Sequence, residues 1–284
     1  MNVWVTIGVG LLVMVGAGVA IGHTAYRRGV AAVDGAYAKV LAGRAHESRR
    51  FEPDQIARMP EIARRYFRHA IAPGTPLYSS VEIEMEGAFL LGDRDKYQAY
   101  RMSAAQALKP PDEFVWTPRL TSGLMTITGS DALVGGEAWT RFWLLGLIPV
   151  ANDRTSPDLV RSAQFRAAVE GALWLPTSLL PDNGVEWKRT GPDEAELTLR
   201  RFSPAVVLRL TLDRGGAVRK VVGQRWSNVN PSKRFQLQPF GGTMSGEGTF
   251  KGLTIPTRMA AGNHFGTDQY LPFFQAHITR ARYR

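Results

Sequence analysis

The sequence predicts an α+β fold: one strongly curved antiparallel sheet, a half-barrel or open barrel, with N-terminal helices, a helical insertion covering one face, and one N-terminal transmembrane helix. Three observations predict it. The run Val81-Glu82-Ile83-Glu84-Met85-Glu86 places every apolar residue at an odd position and every acid at an even one, the period of a strand with one buried and one wet face. Similar period-2 segments recur at short spacing as far as Tyr283, and a single stretch, about residues 139–180, interrupts them with a helix pattern. The chain of 284 residues is 44% hydrophobic and 21% charged, a composition that supports a sizeable core. It holds no cysteine, which excludes a disulfide scaffold, a thiolate metal site and a cysteine nucleophile.

The anchor comes first. Val3 to Ile21 carries no charge, and Thr6 is its one polar side chain. Nineteen residues at about 1.5 Å each approach the thickness of a bilayer core, so residues 1–22 are expected to form a transmembrane anchor. No basic residue precedes the run, while Arg27 and Arg28 follow it, which favours an uncleaved anchor over a signal peptide. Residues 23–52 are expected to form a basic juxtamembrane helix or linker. Residues 22–50 hold six basic and two acidic residues, a net of +4 out of the chain's +10. Cations beside a span mark the cytoplasmic side. The charge rule therefore predicts a cell-membrane, single-pass protein with its large C-terminal part in the cytoplasm, the extracytoplasmic side staying open as the alternative. Gly18 and Gly22 form a small-xxx-small pair that would allow a weak homodimer of spans, and the basic linker would rest on anionic lipid.

Residues 53–284 are expected to form one domain. Ile56, Met59, Ile62, Tyr66, Phe67 and Ala70 recur at helical spacing, with Pro60 splitting them into two short helices. Strands are expected at Tyr97–Gln106, Glu113–Leu120, Met125–Gly129, Val185–Arg189, Glu194–Phe202, Ala205–Asp213 and Val218–Trp226, and then at Arg234–Pro239, Thr243–Phe250, Ile255–Ala261 and Phe274–Tyr283. Asp213-Arg214-Gly215-Gly216 is the clearest hairpin turn. So many strands must curl or close into a barrel. In the insertion, the apolar run Phe142–Val150 is too short to span a bilayer. Ser156-Pro157-Asp158 then starts a helix that ends before Pro176.

The terminal Arg280, Arg282 and Arg284 alternate as a charged sheet edge would. The cations are otherwise dispersed, with no nucleic-acid motif, so no nucleic-acid partner is expected.

The stretch Glu170-Gly-Ala-Leu-Trp174-Leu-Pro176-Thr-Ser-Leu-Leu-Pro181, with Gly184-Val-Glu-Trp187, Gln106, Phe114-Val-Trp116, Gln224-Arg225-Trp226 and Gly252-Leu-Thr-Ile-Pro256-Thr-Arg258, resembles an uncharacterised bacterial domain-of-unknown-function family. The resemblance covers roughly residues 53–284 and brings no assigned activity. The order of strands and helices also looks like the LolA-type lipoprotein-carrier architecture, which implies helices over a concave apolar face.

No G-x-S-x-G elbow, Walker loop or H-E-x-x-H motif occurs, and no cofactor or metal is expected. The function read from these features is a membrane-anchored binding protein for an apolar or lipid-like ligand held between sheet and insertion. Its candidate pocket residues are Trp116, Trp143, Trp174, Glu170, Arg119, Arg225, Trp226 and Arg258. Each has a blander role: Trp as plain core, and Glu170 as a structural ion pair with Arg119, Arg225 or Arg258. Two other functions fit the same residues. One is a hydrolase-like acid–base site at Glu170 with Arg225 or His264; the other is an envelope scaffold or partner-binding module without a pocket.

Overall fold

The structure is a computed structural model describing residues 3–42 and 46–284, with side chains for residues 20, 22–42 and 49–284. Helix α1 runs unbroken from Val3 to Leu41. The sequence offers no proline or turn between anchor and linker, so a single helix serves both. The predicted anchor Val3–Ile21 falls on residues whose side chains, Ala20 excepted, lie outside those described. Among the described residues no helix is long and apolar enough to cross a membrane. The linker is not a bare tether. Val33, Ala36, Tyr37, Val40 and Leu41, at helical spacing, pack against Ala107, Val115, Ala132, Val134 and Trp139 of the sheet.

Strands β1 (His46–Arg50) and β2 (Pro76–Leu77) form a small ribbon around a 3₁₀ turn, Pro53–Ile56, and helix α2 (Glu61–Ala70). Pro60 stands one position before α2, which buries Ile62, Ala63, Tyr66, Phe67 and Ala70 as its spacing requires.

The remaining strands are β3 (Val81–Gly92), β4 (Tyr97–Lys109), β5 (Glu113–Ser122), β6 (Met125–Val134), β7 (Glu137–Leu144) and β8 (Ile148–Arg154). After helix α3 (Pro157–Trp174) come β9 (Val185–Arg189), β10 (Glu194–Leu199), β11 (Val206–Leu212), β12 (Val218–Ser227), β13 (Gln236–Phe250), β14 (Leu253–Asn263) and β15 (Phe274–Tyr283). They build one 13-stranded antiparallel sheet in the order β8-β7-β6-β5-β4-β3-β15-β14-β13-β12-β11-β10-β9. Two meanders, β3 to β8 and β9 to β15, thus meet along a β3–β15 seam.

The sheet stays open. β8 and β9 are its outer edges, and the chain passes between them through α3, which packs across one face against β4, β6, β7, β11, β12 and β14. We call that face inner and the α1 side outer.

Three expectations change here. The helical insertion does not begin at residue 139: residues 139–154 lie in the β7–β8 hairpin, and only α3 with its short 3₁₀ turns is inserted. Phe142 and Leu144 face inward and Trp143 outward toward Tyr26 of α1, so a strand covered on both faces reads as a continuous apolar run. The alternation at the C-terminus belongs to a central strand rather than an edge. Arg280, Arg282 and Arg284 pair with Glu82 and Glu84 across the seam.

Elsewhere the local chemistry acts as its residue types require. In β3, Val81, Ile83 and Met85 are buried. The Asp213 turn is held by its Oδ1, which accepts from the N–H groups of Gly215, Gly216 and Ala217 at 2.9–3.0 Å. Gly216 has φ 103°, and a side chain there would run into the Arg65 carbonyl oxygen at 2.4 Å, so only glycine fits.

Candidate functional site

Helix α3 begins where Ser156 Oγ accepts the Leu159 N–H at 3.2 Å, with Pro157 in the first turn. Ser162, Arg166 and Glu170 follow at four-residue steps and so form one polar stripe along the helix, whose other polar residues are Asp158, Arg161 and Gln164. The stripe faces a row of cross-strand neighbours, Gln106 of β4, Trp116 of β5 and Asp131 of β6.

Arg166 links helix and row. Its Nε donates to Glu170 Oε1 at 2.8 Å, its Nη1 donates to Asp131 Oδ2 at 2.9 Å, and its guanidinium lies 4.7 and 4.8 Å from the rings of Phe114 and Trp116. Gln106 Nε2 donates to the second oxygen of Glu170. Burial disfavours the Arg166 charge, but Glu170 and Asp131 outweigh it and hold the guanidinium above its ordinary value. Arg225 lies nearby with its Nε donating to Ser162 Oγ at 3.2 Å. Burial and then the Arg166 charge pull it down to about 10, against Asp131 and Glu170, so it stays charged at neutral pH.

Three buried atoms of this cluster have no partner: Gln106 Oε1, Trp116 Nε1 and Asp131 Oδ1. Such atoms are costly unless something binds them.

Beside the cluster runs a band of aromatic rings. Phe142 meets Trp116 at 6.3 Å, Trp116 meets Phe89 at 5.8 Å, Phe89 meets Phe273 at 5.4 Å, Phe273 meets Phe240 at 6.4 Å, and Phe240 meets Phe165 of α3 at 5.7 Å. Trp116 and Phe165 are buried, but Phe89, Phe142, Phe240 and Phe273 are only half-buried. The band lies toward the end of the sheet that carries the β3–β4, β5–β6 and β7–β8 turns.

Of the residues singled out in the sequence, Trp116, Glu170 and Arg225 come together here. Trp174 does not line an opening. It is 1% exposed in solid core at the far end of α3, where its carbonyl accepts the Tyr283 hydroxyl at 3.0 Å. Trp226 anchors the first turn of α3, donating from Nε1 to Asp158 at 2.7 Å beneath the Arg161 guanidinium.

Arg119, Trp143 and Arg258 stand on the outer face. Register decides this: Arg119 is three residues from Trp116, Trp143 is one from Phe142, and Arg258 is exposed opposite Ser245 and His277. The ion-pair partner of Glu170 is consequently Arg166, not Arg119, Arg225 or Arg258. Both oxygens of Glu170 are thereby engaged, one by Arg166 and the other by Gln106. His264 sits in a turn where its Nε2 meets the Val229 carbonyl at 2.9 Å. Arg166, Asp131 and the half-buried phenylalanines were missed. The i,i+4 spacing of Arg166 to Glu170 and the lone acid among inward positions of β6 were available signals.

Two cavities lie apart from the band. One of about 610 Å³ separates α1 from the outer face, lined by Tyr37, Glu82, Glu84, Arg119, Arg141 and Trp143 among others. There burial and then Glu82 push the Tyr37 hydroxyl above its usual range. The other, about 730 Å³, opens at the far end of α3 beside Tyr78, Lys109 and Thr177. Gly22, half of the proposed span–span contact, meets the β7–β8 turn instead: a side-chain carbon there would lie 3.1 Å from the Leu147 carbonyl oxygen. Gly18 has its surroundings outside the described residues.

Residues 49–276 match DUF6544, a family of unknown function. The chain belongs to this family. No curated protein matches it. Among solved structures, it is similar to the LolA superfamily protein NE2245 from Nitrosomonas europaea, at 12% identity and a TM-score of 0.40 over 78% of this chain and 92% of that one. It is also similar to a domain assigned as an outer membrane lipoprotein-sorting protein from Vibrio parahaemolyticus, at 11% identity and a TM-score of 0.33 over 79% and 91%.

Proposed function

We propose that this DUF6544 chain binds an amphipathic, lipid-like molecule on the inner face of its sheet. The observation that carries the reading is the half-buried aromatic band beside three unpartnered buried polar atoms. The apolar part of the ligand lies along Phe89, Phe142, Phe240 and Phe273. Its polar end, a hydroxyl or a carbonyl, takes the Trp116 N–H and meets Asp131 and Gln106. The network holds two cations and two anions, so it favours an uncharged polar group over a strong anion.

The place of the ligand differs from the simplest expectation. The space under the C-terminal half of α3 is filled by Trp174, Tyr66 and Tyr283, which leaves the half of the inner face beyond the helix. In this reading Val3–Ile21 anchors the domain to a bilayer, and the +4 that follows it keeps the domain on the cytoplasmic side.

Photocrosslinking tests the binding. The full chain is exposed to a long-chain fatty alcohol bearing a diazirine, and the adducts are mapped by mass spectrometry. Adducts on peptides containing Phe89, Phe142 or Phe273, competed by unlabelled alcohol and reduced at least tenfold by Phe89→Asp with Phe142→Asp, support the proposal. Adducts confined to α1 or the outer face, or unchanged by competition, overturn it.

A further inference from the structure

The sheet end next to the aromatic band carries an unusual surface. Exposed apolar residues gather in three neighbouring turns: Leu91 and Tyr97 beside the β3–β4 turn, Leu124 in the β5–β6 turn, and Leu145, Ile148 and Val150 in the β7–β8 hairpin. Leu124 is 95% exposed, Leu145 54% and Ile148 56%. Scattered single apolar residues need no explanation, but a row along one rim does.

Leu145 is the sharpest case. It has φ 53° in a tight turn, a conformation that suits glycine or asparagine and penalises a branched apolar side chain. A leucine held there with its side chain in solvent serves something other than the turn.

The position of α1 identifies what the rim faces. Tyr26 meets Trp143 at a ring distance of 5.9 Å and packs on Gly146, and Gly22 touches Leu147. Farther along, Val40 and Leu41 pack with Val115 and Val134, and Lys39 approaches Gly135 in the turn at the opposite end of the sheet. Helix α1 therefore runs along the outer face with residue 22 at the rim and residue 41 at the far end. The uncharged run Val3–Ile21 starts where the helix passes the rim. Arg27 and Arg28 on α1 are exposed at the same end, beside tyrosine and tryptophan, as at a membrane interface, while in the β3–β4 turn the exposed Arg94 and Lys96 alternate with the equally exposed Asp93 and Asp95.

We infer that the rim formed by the β3–β4, β5–β6 and β7–β8 turns is a bilayer-contact surface. It dips Leu124, Leu145 and Ile148 into the interfacial layer next to the anchor and turns the open end of the aromatic band toward lipid. The inference rests on reading Val3–Ile21 as a span, and it gives the proposed ligand a route that avoids bulk water.

The absence of cysteine makes the test clean, because each introduced thiol is unique. Single variants Leu124→Cys, Leu145→Cys and Ile148→Cys of the full chain are labelled with the environment-sensitive fluorophore NBD. They are then reconstituted in vesicles of phosphatidylcholine and phosphatidylglycerol. Glu137→Cys, at the other end of β7 roughly 25 Å away, is the water-side control, and Val13→Cys reports on the span. The expected result is a blue shift in emission and loss of fluorescence to nitroxide-bearing lipid at all three rim sites, with no change at Glu137→Cys. Rim labels that stay water-like and unquenched overturn the inference, whatever Val13→Cys reports. Quenched rim labels with an unquenched Val13→Cys label keep the rim contact and remove the anchor instead.

Discussion

Arg166 holds two carboxylates at once, in a cluster that is half-buried at Arg166 and Asp131 and buried at Glu170. Removing one member of such a cluster leaves the others short of a partner, which costs about 1–3 kcal/mol. Arg166→Met is expected to lower the unfolding free energy by that amount in urea denaturation, whereas replacing Arg166, Glu170 and Asp131 together by apolar residues is expected to cost less than the single change. Asp213 gives a pH signature. Burial raises its carboxyl, but the hydrogen bond from Arg219, the Ala217 and Gly215 N–H groups and the Arg219 charge outweigh burial and hold it below the usual carboxylate range. A lowered folded value contributes stability above the ordinary carboxylate pKa that is lost as pH falls through the folded value. The native chain should therefore lose stability below about pH 4 more steeply than Asp213→Asn, as checked by urea midpoints between neutral and strongly acidic pH. At this scale the sequence exposed types better than partners. Glu170 stood out as an acid amid the apolar second half of α3, but its partner Arg166, one turn earlier, was passed over for arginines distant in the chain.

Helix α3 shows what local chemistry can fix. Ser156, Pro157 and Asp158 start it and Pro176 follows its end, so its limits were legible from capping alone. Ser156→Ala is expected to cost about 1 kcal/mol, read as a lower thermal midpoint with unchanged spectroscopic secondary structure. The β7–β8 hairpin was not legible for two other reasons: α1 and the inner core cover opposite faces of β7, and β8 carries the exposed apolar residues Ile148 and Val150, so neither shows the polar alternation that marks a strand. Close approach sets a further limit on α3. A side-chain carbon at Gly223 of β12 would lie 2.7 Å from the Phe165 ring, so Gly223→Val should push the helix off the sheet. The expected readout is faster hydrogen exchange in α3 and altered labelling of Phe240 in the band.

Across the molecule, the antiparallel character of most strands followed from alternation, but β7 and β8 did not show it, β13 (Gln236–Phe250) read as two strands, and which distant strands pair was not legible. Strand pairing between distant segments leaves only faint marks in a sequence. Here the mark was charge, with acids at the even positions of β3 and arginines at the even positions of β15. Taken one strand at a time, the arginines resemble an edge; taken together, Glu82 and Glu84 name their partners. Glu82→Arg alone is expected to weaken the seam by about 0.5–1 kcal/mol, and adding Arg282→Glu should restore most of it, as a double-mutant cycle of unfolding free energies would measure. Detaching α1 is a larger change: Val40→Asp puts a charge into a fully covered position and should expose residues 22–42 to protease while leaving the sheet protected.

The β3–β15 seam also sets a schedule. Each meander pairs neighbours in the chain and can form as it leaves the ribosome, but β3 lacks its second neighbour until residue 283 has been translated. At roughly 5–20 residues per second, that leaves the free side of β3 open for roughly 10–40 s. During that interval the nascent chain presents an unpaired strand with an apolar inner side to every other polypeptide in reach, so the acids at Glu82, Glu84 and Glu86 guard the strand before the first two bind its partner.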